Sequence, residues 1–298
     1  MNKKLIINAD GYGFTDGISK ACEECIAFGT VKSVSVNVNF PSVDRLRDLI
    51  IRYPHLSIGC HLNPVIGKPV SAIESIPTLV NKRGEFYYKE FKARWLKGYM
   101  SNDEMKTELL AQINKTKELA GARFTHIDFH MALHRLPRLY SIFLDVVKKS
   151  EIGRIRTHRY FFGIDEKNPK IAHLLHLCSN PANIAKYVYN NILRDKALSM
   201  GIVAPDNILV IVDLHWNNDK MSIDSFINLL RNIPEGISEF IVHPGYVDDE
   251  LRRWSTLLEP RERMLEILLN PNFKNAIEEM NIELVGYDEI ELGKQICC

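Results

Sequence analysis

Short apolar runs, each closed by an acidic or imidazole side chain and separated by stretches of helical periodicity, constrain this chain more than any other feature. Lys4-Leu-Ile-Ile-Asn-Ala-Asp10 ends on a carboxylate, and Leu56-Ser-Ile-Gly-Cys-His61 on an imidazole. Thr125-His-Ile-Asp-Phe-His130 and Ile208-Leu-Val-Ile-Val-Asp-Leu-His215 each end on both, and Glu239-Phe-Ile-Val-His243 stops at a histidine before proline. Such alternation of strand and helix demands a parallel sheet, because each crossover returns the chain to the same edge. Candidate strands at 4–9, 31–39, 56–62, 125–130, 154–158, 208–214, 239–242 and 283–285 predict an α/β fold, a (β/α) barrel of the TIM type rather than an open sheet. Both architectures gather their chemistry at the carboxyl ends of the strands, where these runs place Asp and His.

Helical patterns fall at 16–28, closed by Gly29, and at 42–52, with Ser42 as the expected N-cap. Further ones fall at 88–100, 103–120, 138–150, 223–231, 260–269 and 273–280. Ser101 and Glu104 form a capping-box pattern ahead of the 103–120 segment. Residues 66–120 interrupt the rhythm after the third strand. This helical insertion is too long for an ordinary βα loop and predicts a pocket wall or a subunit contact. No linker or repeat divides the chain, so residues 1–298 are expected to form a single domain with the insertion inside it.

A hydrophobic share of 46% suffices for a large core. With 38 basic and 37 acidic residues the net charge is +1, which argues against nucleic acid or an anionic membrane as partner. The apolar run after Lys4 is too short for a signal peptide or a membrane span, and a cytoplasmic location is expected. Cys22 and Cys25 have CxxC spacing but lie in a helical stretch with no second pair, so they and Cys60 and Cys178 are expected to be reduced thiols. Cys297 and Cys298 are expected to form a frayed tail.

Side chains two apart on a strand share a face. His126, Asp128 and His130 therefore group together, as do Asp213 with His215 and His61 with Asn63. In the second strand Ser33, Ser35, Asn37 and Asn39 alternate with valines. Charge inside a sheet is costly unless paired or bound to metal, so repeated placement at strand ends predicts a site. Imidazoles with a carboxylate suit Zn, Mn, Fe, Co or Ni, whereas carboxylate and water alone suit Mg. His61 and His130 are the best candidate ligands, with Asp10 near them; Cys60 should point to the opposite face. Neither HExxH, Walker A, GxGxxG nor GxSxG occurs, and Asn8-Ala-Asp-Gly-Tyr-Gly13 lacks the spacing that cradles a pyrophosphate.

Taken in order, these segments resemble the YdjC-like carbohydrate deacetylases, which include chitooligosaccharide and hopanoid-pathway deacetylases. Asn8-Ala-Asp-Gly-Tyr-Gly13 is similar to that family's opening NADDFG, and Gly59-Cys-His-Leu-Asn63 to its GLHLN, followed by Gly67-Lys-Pro69. Ile76-Pro-Thr-Leu-Val80 with Gly84 and Phe86 resembles its PSLVD-G-F stretch. Thr125-His-Ile-Asp-Phe-His-Met-Ala-Leu-His134 resembles THxDxHxHxH, with Pro137 behind it. Ala204-Pro-Asp206 and His243-Pro-Gly-Tyr246 resemble TPD and HPGY. Two positions depart: Gly11 stands where the family has a second Asp, and Ala132 where it has the middle His.

The resemblance implies a distorted barrel that removes N-acetyl groups from amino sugars with one divalent metal, Mg or Zn foremost, with Mn, Co and Ni also open. Carried over, Asp10, His61 and His130 would hold the metal. Asp10 would also take a proton from the attacking water, and His243, or else His215, would protonate the departing amine. Arg156 occupies the place of a substrate-facing arginine, with a salt bridge at the barrel mouth as its alternative role. Asn63, Asp128, His134, His215 and Tyr246 complete the expected substrate-contacting set. Tyr12, Trp216 and Tyr246 lie beside site residues, where packing is a better expectation than stacking on a sugar. The expected partner is a small N-acetylated sugar or oligosaccharide, with a homodimer possible. Two other readings stay open: a degenerate relative that binds glycan or glycolipid without hydrolysis, and another metal-dependent amidohydrolase or phosphoesterase.

Overall fold

A computed structural model describes residues 3–292, so the expectation for Cys297 and Cys298 lies outside the described residues. The strands are β1 (Lys3–Tyr12), β2 (Ser33–Val36), β3 (Ser57–Leu62), β4 (Phe124–Phe129), β5 (Tyr160–Phe162), β6 (Asn207–Val210), β7 (Gly236–Val242) and β8 (Glu283–Leu284). They form one parallel sheet in the order β4-β3-β2-β1-β7-β6-β5, with β8 beside the start of β1. The circle closes irregularly. Ile155 bridges Ile127 of β4, Arg154 bridges Val203, and five residues further on β5 pairs with β6. The expected strand at 154–158 is thus two bridging residues followed by a short strand, which is where the barrel is distorted.

The helices are α1 (Asp16–Phe28), α2 (Leu46–Arg52), α3 (Phe91–Leu96), α4 (Asn102–Ala120), α5 (Leu139–Ser150), α6 (Pro169–Cys178), α7 (Pro181–Ser199), α8 (Ile223–Asn232), α9 (Asp249–Trp254), α10 (Glu259–Leu268) and α11 (Pro271–Glu279). α1 shows why the sequence specifies them. Thr15 accepts the Ile18 N–H, Gly29 closes the helix in the left-handed region, and Ile18, Ala21, Cys22, Cys25 and Ile26 form its buried face. Cys22 and Cys25 are therefore buried free thiols, as Cys60 is; Cys178 is exposed. No described helix is long and apolar enough to cross a membrane.

Several local expectations are corrected. Ser42 does not cap a helix; a 3-10 turn, Pro41–Arg45, precedes α2, and the Ser42 hydroxyl donates to Asp16 at 2.7 Å. Ser101 caps α4, but the Glu104 carboxylate accepts from the N–H and hydroxyl of Thr78 instead of reaching back. The strand expected at 208–214 stops at Val210, and Asp213 sits exposed in a turn with φ 58°, so it shares no strand face with His215. The helical part of the insertion, α3 and α4, packs through α4 on β3 and α5.

The sheet's inner face is polar along β1 and β2. Ser33 donates to Asn8 Oδ1 at 2.6 Å, and Asn8 Nδ2 donates to Ser35 Oγ at 2.8 Å and Asp10 Oδ1 at 2.7 Å. Val34, Val36, Ile58 and Cys60 face the helices and join the apolar core. Gly59 has its own reason: a Cβ there would lie 2.2 Å from His126 Nε2, so only glycine lets that ring lie flat, stacked on Tyr287 at 3.6 Å. Gly11 is the extra residue of a β-bulge between the Asp10–Ser35 and Tyr12–Val36 pairs, at φ +101°.

Candidate active site

A cavity of about 430 Å³ opens among these strand ends, and Asp10, His61, His130, Arg156, His215 and His243 all line it. Its floor is a charge network around Arg156. The guanidinium donates through Nη1 to Asp10 Oδ2 at 2.8 Å and through Nη2 to Asp10 Oδ1 at 2.6 Å. Nη2 also meets Asp128 Oδ2 at 2.7 Å, and Nε donates to Glu239 Oε1 at 2.9 Å. One cation thus joins β1, β4 and β7, and its three carboxylate partners are all buried. The bidentate fork suits arginine's planar geometry.

Above this floor, His61 Nδ1 stands 2.8 Å from Asp128 Oδ1, and its Nε2 stands 3.3 Å from His130 Nδ1. Asp10 Oδ2 lies 4.0 Å from His61 Nδ1. Asp10, His61 and Asp128 each bring a donor atom within 4.8 Å of the others. Asp128, however, already serves His61, Arg156 and the Ser35 hydroxyl at 2.9 Å. A carboxylate behind an imidazole fixes its tautomer and leaves the far nitrogen free for a metal. That far nitrogen faces a second imidazole nitrogen. Two such lone pairs at 3.3 Å need a proton or a cation between them, so the donor set fits a divalent ion.

The electrostatics agree with this division. Burial disfavours the Asp10 carboxylate, but Arg156 and then His61 outweigh it and hold Asp10 well below the usual carboxylate range. Burial likewise opposes charge on His61, yet Asp128 and Asp10 raise it above an ordinary histidine. His130 falls to about 3, through burial and then His61. His215 falls to about 4 through burial and Arg261, and burial holds His243 well below the ordinary range. Both enter as neutral imidazoles, 5.2 Å apart between ring centres, and neither Nδ1 has a hydrogen-bond partner.

The expected set therefore separates. Asp10, His61, His130 and His243 converge on the cavity, and His215 and His134 join its wall. His134 lies in a 3-10 turn rather than on a strand, with its Nε2 2.7 Å from His158 Nε2. Arg156 lines the cavity, but its guanidinium is engaged by three carboxylates, so the salt-bridge alternative is the one observed. Asp128 faces the network, not the cavity. Asn63 is buried and accepts the Val65 and Ile66 N–H groups while its main chain pairs with Gln112, so it shapes a turn. Tyr246 donates to Glu24 outside the cavity. Tyr12 is core, donating to Glu23, and Trp216 is an exposed part of the cavity rim.

Glu239 was not expected. The signal was available: residues 239, 241 and 243 share one face of a strand, so a site at His243 implies an inward carboxylate at 239. Burial pushes its pKa up to about 7, against the pull of Arg156. Because this exceeds the ordinary value near 4.3, the folded state keeps a proton that the unfolded chain releases. That contribution is complete below about pH 4 and is lost as pH rises through 7. Glu239→Gln keeps an acceptor for Arg156 and removes the titration. Wild type is expected to lose about 2 kcal/mol relative to the variant between pH 5 and pH 8. Urea unfolding of both at the two pH values checks it, and parallel behaviour would refute it.

Comparison with known proteins agrees with the geometry. The sequence matches the model of the family described as YdjC-like protein over residues 4–279. A carbohydrate deacetylase of Thermoanaerobacter pseudethanolicus is 27% identical, covering 96% of this chain and 98% of its own. A chitooligosaccharide deacetylase of Yersinia enterocolitica is 28% identical over 97% of this chain and 100% of its own. A crystal structure from Enterococcus faecalis V583, provisionally assigned as a cellobiose-phosphate cleavage protein, superposes with a TM-score of 0.74. It is 26% identical and covers 97% of this chain and 99% of its own. With the match running through every strand that lines the cavity, this chain belongs to the YdjC-like family.

Proposed function

We propose that this protein hydrolyses the N-acetyl group of an amino sugar or oligosaccharide, with a divalent ion held by His61 and His130. The observation that carries the reading is the imidazole pair, 3.3 Å apart on the cavity wall, with Asp128 behind His61. The names of the relatives supply the substrate class. Two nitrogen donors favour Zn, Mn, Co or Ni over Mg. When bound, such an ion would polarise the acetyl carbonyl and acidify a water.

The chain's own groups divide the remaining work. Asp10, ionised and aligned by Arg156, accepts the proton of the attacking water. Its depressed pKa makes it a weak base, so its contribution is chiefly alignment and charge. His243 starts neutral, so the proton it gives to the departing amine is the one the attacking water released, passed on from Asp10. His134, His215 and Trp216 form the wall against which a sugar would lie.

Acetate release from N-acetylglucosamine oligomers, with Zn²⁺ or Mn²⁺ supplied, tests this. Free amine and acetate are expected in equal amounts. One observation favours a second reading, glycan binding without hydrolysis: Gly11 offers no carboxylate, and both Asp10 oxygens are engaged by Arg156. Sugar binding without acetate release across a panel of N-acetylated sugars would support that reading instead.

A further inference from the structure

We propose that Asn37 is a ligand-shell residue of this site, supplying a neutral amide oxygen where Gly11 supplies no carboxylate. The inference rests on the metal-dependent reading above and concerns how this chain completes the shell.

Three observations point to Asn37. Its position comes first. Asn37 follows β2 directly, and its N–H donates to the Tyr12 carbonyl at 2.8 Å, just past the Gly11 bulge. Val36 pairs with Cys60, which puts Asn37 one step further along, level with His61 on the neighbouring strand. The period-two row of Ser33, Ser35 and Asn37 continues the inward polar face, and Asn37, Gly11, His61 and His130 all line the same cavity.

Its chemistry is the second. Asn37 is 1% exposed, and its amide oxygen is buried with no hydrogen-bond partner. An unsatisfied buried acceptor costs about 1–3 kcal/mol, which a structure retains where the group has another task. Half a turn about the last side-chain bond exchanges the amide oxygen and nitrogen, so the acceptor can be presented to the cavity without moving the backbone.

The third is proximity to the vacancy in the carboxylate pattern. The Asn37 amide nitrogen lies 3.9 Å from where a Gly11 Cβ would be, and only Ile18 is as near. At φ +101° a side chain on residue 11 would be strained. The bulge as this chain forms it therefore disfavours a carboxylate at 11 on backbone grounds, and the adjacent strand offers an oxygen donor in the same space. A neutral oxygen beside two imidazoles leaves the shell one negative charge short of a carboxylate set. Weaker retention of the ion follows, together with a stronger pull on a bound water.

Metal titration of the full chain tests the assignment without reference to turnover. Apo protein is titrated calorimetrically with Zn²⁺, and separately with Co²⁺, whose visible spectrum reports its ligands. Asn37→Ala is expected to weaken binding about tenfold or more, and Asn37→Asp to tighten it by a similar factor, each with an altered Co²⁺ spectrum. Asn37→Ser, which retains an oxygen, should fall between them, and far-ultraviolet circular dichroism of each apo variant verifies folding. Unchanged affinity and spectrum in Asn37→Ala and Asn37→Asp, while His61→Ala abolishes binding, overturns the role of Asn37 alone. Absence of binding in wild type, or binding indifferent to His61, overturns the metal reading and this one with it.

Discussion

Replacing Arg156 with methionine is expected to destabilise the protein by about 3–5 kcal/mol at pH 8, the range found when one partner of a buried ion pair is removed. The cause is what remains. Asp10, Asp128 and Glu239 are all buried, and the guanidinium touches each of them. Methionine fills much of the volume and supplies no donor. Burial is then opposed chiefly by His61 at Asp10 and Asp128, whose pKa values the arginine now holds down. In the variant those values rise relative to wild type, so its folded state takes up protons that the wild-type folded state does not as pH falls. The penalty should therefore shrink on acidification, most clearly between pH 8 and pH 5. Arg156→Lys should recover only part of the loss, because one ammonium cannot reproduce the fork that meets both Asp10 oxygens. Urea unfolding at the two pH values decides the matter. A loss under about 1 kcal/mol, or one that does not change with pH, would mean the network does not hold the barrel together.

The behaviour of Arg156 shows where reading from sequence reaches its limit. Strand–helix alternation depends on local periodicity, so the barrel, most helices and the strand ends bearing Asp10, His61, His130 and His243 could be read from the chain. Their convergence follows from parallel topology, which brings every strand's carboxyl end to one rim. What lies behind the rim does not follow. Period two states that Asp128 points inward, but not whether it meets solvent, metal or another side chain. That depends on a contact with the neighbouring strand segment, a residue 28 positions later, which no local pattern contains. Asn63 failed for the opposite reason: it lies just past β3, where the alternation gives way to turn chemistry. The distorted closure was illegible too, since Arg154 and Ile155 pair with different neighbours from those of β5.

Gly11 and the short strand β5 also bear on how tightly the site is held. The floor is built from paired strands tied together through Arg156. The upper wall is made of turns: the 3-10 segment His130–Arg135, where Met131 and Ala132 take positive φ, and the turn after β6 that carries His215 and Trp216. Charge alignment thus belongs to the sheet, while the proposed sugar contacts belong to loops, which tolerate change without cost to the barrel. Ala132, the second departure from the family pattern, falls in that loop-built wall and not in the floor.

His61→Ala is expected to have the largest effect on catalysis, a loss of about a thousandfold or more in acetate release, equivalent to about 4 kcal/mol of transition-state stabilisation. His61 joins the two layers, with Nδ1 on Asp128 of the floor and Nε2 facing His130 across the cavity. In the proposed metal-dependent reading, alanine removes a metal donor and also the group that Asp128 orients. Asp128→Asn separates these contributions. It keeps the metal-facing nitrogen of His61 but weakens the partner that sets its tautomer, and changes of this kind cost about 10–100-fold in metal affinity. The predicted order is therefore His61→Ala below Asp128→Asn below wild type, in both Zn²⁺ affinity and acetate release. His130→Ala should match His61→Ala in affinity, because the pair contributes one nitrogen each. If Asp128→Asn proves as damaging to metal affinity as His61→Ala while remaining folded, Asp128 is itself a ligand. The ion would then lie on the Asp10–Asp128 side of His61 rather than between the two imidazoles.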